Sequence, residues 1–144
     1  MKKVLLFFVL IFSGTIIFAQ TNSPLPKAPA NPNAPVISFE EKLFNYGTIE
    51  QNSDGTHDFN YTNTGKEPLV FSNVRSSCGC TVPEWSKKPL LSKEQGTIRV
   101  KYDTKRIGRF NKTISIYSNA KEPMMVIRIQ GEVVPKSIGD SGDK

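Results

Sequence analysis

Through the middle and end of this chain, apolar and polar residues alternate with a period of two, and no helix-length periodic segment interrupts them. Phe59 and Tyr61 alternate with Asp58, Asn60 and Thr62, and Ile98, Val100 and Tyr102 with Thr97, Arg99 and Lys101. Ile114 and Ile116 alternate with Thr113, Ser115 and Tyr117, while Met125, Ile127 and Ile129 alternate with Val126, Arg128 and Gln130. Successive side chains of a strand point to opposite faces. The pattern therefore predicts strands with one face buried and one wet, as in antiparallel sheets. Val36 to Phe39, Leu43 to Tyr46 and Leu69 to Arg75 are weaker segments of the same kind.

Turn residues separate these runs. Asn63-Thr64-Gly65-Lys66-Glu67-Pro68 predicts a hairpin loop, as do Asp103 to Gly108 and Asn119-Ala120-Lys121-Glu122-Pro123. About seven short antiparallel strands within roughly 100 residues predict two packed sheets, an all-β immunoglobulin-like sandwich. A single open sheet would leave too much apolar surface uncovered.

The first residues predict export. Lys2 and Lys3 precede an apolar run from Val4 to Phe18, and Ala19 supplies a small residue before Gln20. That run is about 15 residues, short of the roughly 20 that span a bilayer as a helix. Residues 1–19 are thus expected to be a signal peptide, and no later segment is apolar for long enough to cross a membrane as a helix. Removing the leader lowers the formal charge of +6 by two, a mildly basic balance that does not call for nucleic acid. Pro24, Pro26, Pro29, Pro32 and Pro35 make residues 20–35 an expected semi-extended spacer. The domain is expected over residues 36–135 and a disordered tail over 136–144. The protein should be periplasmic or secreted.

Cys78-Gly79-Cys80 holds the only cysteines of the chain. In an exported protein such a pair ends as a disulfide, a redox couple or a ligand pair. Residues two apart reach bridging distance only where the backbone bends, and Gly79 is the residue type that allows a bend, positive φ included. A bridge closing three residues removes little unfolded-chain entropy, roughly 1.6 kcal/mol. Three readings fit: a local disulfide that stiffens a turn, an exposed redox or partner-capture site, and a soft-metal site for a cuprous ion. Against a thiol catalyst, the spacing is not Cys-X-X-Cys and no helix follows to acidify a thiol. Against zinc, the mature chain adds only His57 to two thiolates.

Several segments resemble one bacterial family in order along nearly all of Val36 to Val134. They are Phe44-Asn45-Tyr46-Gly47-Thr48-Ile49, His57 to Gly65, Ser77-Cys78-Gly79-Cys80-Thr81, Gly108 to Ile114 with Ser118-Asn119, and Gly131-Glu132-Val133. The family, DUF1573, comprises exported proteins of unknown function, is abundant in Bacteroidetes, and carries an SCGCT signature. The resemblance implies a sandwich like those of major-sperm-protein and ASPM-SPD-2-Hydin modules, and it implies no reaction. Ser92 to Gly96 stands where such modules often have a Pro-Gly turn, so that loop is expected to be built differently.

No catalytic constellation is expected. His57, the single histidine, starts the Phe59 strand and is expected to face water; a general base would need a partner that the sequence does not name. Glu40 and Glu41 are adjacent, so in a strand they would point to opposite faces. Gly-X-Ser-X-Gly and phosphate-cradling glycine loops are missing. Trp85, expected in the loop after the cysteines, is either a cap on the sandwich end or an exposed contact, and Lys87 and Lys88 are weak binding candidates beside it. Lys93, Arg99, Lys101, Lys105, Arg106, Arg109 and Lys112 extend this basic character, either as a patch for anionic envelope material or as a solvated face with edge lysines. No cofactor is expected. The function expected is a non-enzymatic binding or interaction module for an unknown protein or envelope component; the alternative is thiol-disulfide or copper handling at Cys78 and Cys80.

Overall fold

The computed structural model describes residues 31–137; the expected leader, most of the expected spacer and the end of the tail lie outside them. Eight strands run in order: β1 Ile37–Phe39, β2 Leu43–Glu50, β3 Thr56–Asn63, β4 Phe71–Ser76, β5 Thr81–Trp85, β6 Gln95–Tyr102, β7 Gly108–Ser118 and β8 Met124–Val134. They form two four-stranded sheets. Sheet A has the order β1-β3-β6-β5 and sheet B the order β2-β8-β7-β4. The all-β sandwich expected from the alternation is the fold.

The alternating residues build its core. Phe59, Ile98 and Val100 of sheet A and Ile114, Ile116, Ile127 and Ile129 of sheet B are completely buried. Their polar neighbours face outward, as a two-residue period requires. Tyr102 of β6 stacks on Phe110 of β7 with ring centroids 3.8 Å apart, which joins the sheets at one end.

Two expectations about the strands need correction. There are eight strands, and one pair is parallel. β2 runs parallel to β8, whereas β1, only three residues upstream, pairs antiparallel with β3. The chain changes sheets between Phe39 and Leu43, so its first extended stretch serves an edge of each sheet. The additional strand is β5, which contains Pro83. A proline inside an apolar run argues against a strand, yet β5 is a sheet edge, where a missing N–H on the open side leaves the ladder intact.

Asn31 to Pro35, assigned from the sequence to the spacer, are fastened to the domain. Glu67 N–H donates to Asn33 O at 3.0 Å, Lys121 N–H donates to Pro35 O at 2.8 Å, and Pro35 is buried. Asn63, at the end of β3, has no exposed surface and ties three segments together. Its Nδ2 donates to Glu67 O and Leu90 O at 2.9 and 3.0 Å, and its Oδ1 accepts from Gly65 N–H at 3.0 Å and Val36 N–H at 3.4 Å. Lys93, in the loop expected to depart from the family pattern, adopts a left-handed φ of 67°.

Candidate functional site at the cysteine crossover

The cysteine turn is the connection that carries the chain from β4 of sheet B to β5 of sheet A. Hydrogen bonds hold it from both sheets. Ser77 N–H donates to Thr113 O of β7 at 2.9 Å, and Thr113 N–H donates back to Ser77 Oγ at 3.3 Å. On the other side Asp103 N–H donates to Cys80 O at 2.9 Å. Within the turn the Ser76 hydroxyl lies 2.5 Å from Cys78 O and 2.6 Å from Thr81 O, sharing its proton between two carbonyls. These bonds satisfy main-chain groups that a bend would otherwise leave unpaired.

Cys78 and Cys80 form a close pair, with Cα atoms 5.3 Å apart and Sγ atoms at bonding distance. That separation falls inside the roughly 4.4–6.8 Å range of bridged cysteines. Cys80 is buried in the core and Cys78 half-buried, and the Thr81 hydroxyl lies 3.9 Å from each sulfur. The backbone bends at Gly79 without using the positive φ that glycine allows, and a Cβ placed there would meet nothing within 4 Å. The surrounding hydrogen bonds, rather than glycine's freedom, shape the bend.

Two neighbouring loops complete this end of the sandwich. Asn52, Asp54 and Gly55 from the β2–β3 loop face Lys101, Asp103, Thr104 and Lys105 across a hollow of 420 Å³. Hydrogen bonds from Thr56 hold the Asp54 carboxyl below its usual range, with smaller help from the charge of Lys101. Tyr46 Oη donates to Gly55 O at 2.7 Å; burial, helped by the Asp54 charge, pushes its hydroxyl up to about 12.

The other candidates lie elsewhere. Trp85 is the last residue of β5, opposite Ile98, and its half-buried ring packs on the core. It is neither in a loop nor at the end of the sandwich beside the cysteines. Its indole Nε1 is buried and without a hydrogen-bond partner. Lys87 holds its ammonium 6.0 Å from the indole centroid, at the outer limit of a cation–π contact; Lys87 and Lys88 are exposed. The structure thus separates Trp85, Lys87 and Lys88 from the cysteine pair.

His57 does not face water. Its ring stacks on Phe44 of sheet B and meets Phe59 edge-on at 4.7 Å, while Nε2 lies 2.8 Å from Glu41 Oε1. The sequence signal for this was present in the two-residue steps Phe44-Tyr46 and His57-Phe59-Tyr61, which place His57 on the inward face. The basic residues do not form one patch. Arg99 and Lys101 pair with Asp58 and Thr56 in sheet A, whereas Arg109 pairs with Glu132 in sheet B. Arg99 donates to both Asp58 oxygens at 2.8 Å, and those bonds hold the Asp58 carboxyl below its usual range.

A family model described as protein of unknown function (DUF1573) matches residues 37–133. The chain belongs to this family. The matched span runs from the start of β1 almost to the end of β8, so the family is defined by the whole sandwich with the cysteine crossover inside it. No curated protein matches the chain. Among solved structures, a Porphyromonas gingivalis protein of unknown function is similar at TM-score 0.63 and 16% identity, over 76% of this chain and 51% of that one. This chain therefore spans about half the length of that relative. PapD-like domain 7 of human CEP192, an ASH domain, is similar at TM-score 0.61 and 12% identity, over 80% of this chain and 96% of that domain. The Vibrio cholerae VesB protease contains a similar portion at TM-score 0.56 and 16% identity, over 69% of this chain but 32% of the protease. At these identities the likeness is one of fold: an immunoglobulin-like, PapD-like sandwich.

Proposed function

We propose that this family member is an exported, non-enzymatic interaction module that presents the loop end around Cys78 and Cys80 to a protein or envelope component. One observation carries the reading: the cysteine crossover is bonded to β7 on one side and to the Asp103 loop on the other. A turn fixed this way suits a rigid platform, and loops on a rigid sandwich are common binding surfaces. The hollow beside it, with Asp54, Asp103, Lys101 and Lys105, offers both charge signs to a polar partner. Cys78 and Cys80 act here as a disulfide that braces the platform.

A second reading, thiol exchange or copper binding, draws on the half-buried Cys78 and the exposed Gly79, which leave one sulfur nearer to solvent than the other. Intact mass of the exported protein, alkylated without and then with reductant, separates the two. The platform reading expects no alkylation and no bound metal before reduction. Free thiols or stoichiometric copper would overturn it. A photo-crosslinking residue at Lys105 should trap a defined partner in the envelope, and one at Ser38, on sheet A, should not. Equal labelling from both positions, or from neither, would overturn the loop end as the contact surface. The unprocessed chain found inside the cell would remove the claim of export.

A further inference from the structure

The outer face of sheet B is hollowed where β2 is irregular. Its register shifts between Asn45 and Thr48, with Gly47 at a left-handed φ of 64°. Asn45 of β2 and Asn111 of β7 are both register partners of Gln130 in β8. Three carboxamides therefore stand in one row across adjacent strands, about 4.8 Å from strand to strand. Thr48, Glu132 and Arg109 form the next row in the same way. Gly47 adds no side chain beside the rows, and the hollow measures 630 Å³. Ligand sites commonly span roughly 300–1,000 Å³.

The chemistry of the lining is polar and uncharged on balance. Arg109 and Glu132 are its only ions and pair at 3.4 Å. A polyanion would meet one cation already compensated. An apolar ligand would strip water from amides without replacing its hydrogen bonds, which is costly. Each carboxamide offers one acceptor oxygen and two N–H donors. Asn45 Oδ1 accepts from Gly47 N–H at 2.9 Å, and its NH2 has no acceptor among the described residues. Hydroxyl groups, which donate and accept alike, match such a row. We propose that this groove binds a short neutral oligosaccharide, held by Asn45, Asn111 and Gln130 with Arg109 and Glu132 at one end. Phe110 lies beneath and is buried, so no ring is offered for a sugar to stack on and hydrogen bonds alone would hold the ligand. The groove lies across β2, β8 and β7 on the outer face of sheet B, whereas the cysteine crossover leaves from β4 at the far edge of that sheet.

The test is nuclear magnetic resonance of the isotope-labelled protein, following the side-chain NH2 signals of Asn45, Asn111 and Gln130. The probes are cellotetraose, maltotetraose and chitotetraose, each titrated to tens of millimolar, with a sulfated disaccharide and an acidic hexapeptide as competitors of other classes. At least one neutral tetrasaccharide should shift these signals saturably. The Asn111→Ala and Gln130→Ala variants, checked for an unchanged backbone spectrum, should each weaken binding about tenfold, the effect of losing one or two hydrogen bonds. Asn73→Ala, on the same face outside the groove, should bind normally. No saturable shift with any of the three, larger shifts with the sulfated sugar or the peptide, or undiminished binding by both groove variants would overturn the proposal.

Discussion

His57 of β3 lies flat on Phe44 of β2, with ring centroids 3.5 Å apart and planes 7° from parallel. The two strands belong to different sheets, so this stack closes one side of the sandwich where the chain has left sheet A after β1. Aromatic pairs contribute about 0.5–1.5 kcal/mol beyond the area they bury. A double-mutant cycle with His57→Ala and Phe44→Ala, followed by urea unfolding, should therefore give a coupling of about 1 kcal/mol. A coupling of zero would mean the stack only fills space.

Asn63→Ala should be the most damaging of the single polar substitutions. It leaves the Glu67 carbonyl and the Gly65 and Val36 N–H groups without their partner at a position with no exposure, and removes one of two bonds at the Leu90 carbonyl, which keeps its bond from Leu69 N–H. Unpaired buried groups cost about 1–3 kcal/mol each, partly recovered where water can enter, so a loss of about 3 kcal/mol is expected. Asn63→Asp, which keeps the acceptor but loses both N–H donors, should be nearly as harmful. Denaturant midpoints at an unchanged slope would check both.

Stability should decline in strong base, and Tyr46 should contribute to the decline. Its hydroxyl is raised from an ordinary 10 to about 12, so above pH 10 the unfolded chain loses this proton more readily than the folded one. The contribution is complete below pH 10 and is lost as pH rises through about 12. Burial raises Tyr61 and Tyr102 in the same direction. Tyr46→Phe should cost about 1 kcal/mol at neutral pH through the lost bond to Gly55 O, and should make the alkaline decline shallower. Melting curves of both proteins across this range would test the sign.

Replacing Cys78 and Cys80 together by serine should leave the sandwich folded. A bridge over three residues stabilises by at most about 1.6 kcal/mol in the chain-entropy account. The turn also keeps its bonds to Thr113 and Asp103. Collapse of the fold in the double variant, seen as loss of chemical-shift dispersion, would show that the pair contributes far more than loop closure.

Two glycines should answer differently to alanine. At Gly131 a Cβ would lie 3.0 Å from Gly47 O, from the Phe110 ring and from Tyr46 Cβ, so Gly131→Ala should destabilise by about 1–3 kcal/mol through overpacking. At Gly79 a Cβ meets nothing and φ is not positive, so Gly79→Ala should fall within about 0.5 kcal/mol of the parent. Thermal midpoints of the two variants, measured side by side, would show the contrast.

Most strands were legible because alternation is a local property: Phe59 and Tyr61, or Ile127 and Ile129, announce a buried face without reference to any partner. β5 was hidden because Pro83 is a strand-breaker except at an edge, and edge position is a feature of the sheet rather than of the segment. The phase of β3 puts His57 on the inward face, whereas its place at a strand end favours exposure to water. Here Phe44 arrives from the other sheet to cover it.

At the candidate site, the sequence alone marked Cys78, Gly79 and Cys80 as a bend with its own chemistry and Asp103 to Gly108 as a turn. That turn crosses from sheet A to sheet B instead of closing a hairpin, and the β2–β3 turn beside it carried no such mark. Only the tertiary structure decided that this bend joins the two sheets, that Trp85 sits far along an edge strand, and that β2 pairs in parallel with β8. It also brought Asn45, Asn111 and Gln130 into a single row. The division has a physical cause. Side-chain alternation and turn propensity depend on residues a few positions apart. Which strands pair, and in what register, depends on how distant apolar faces close over one another, and no local pattern encodes that choice.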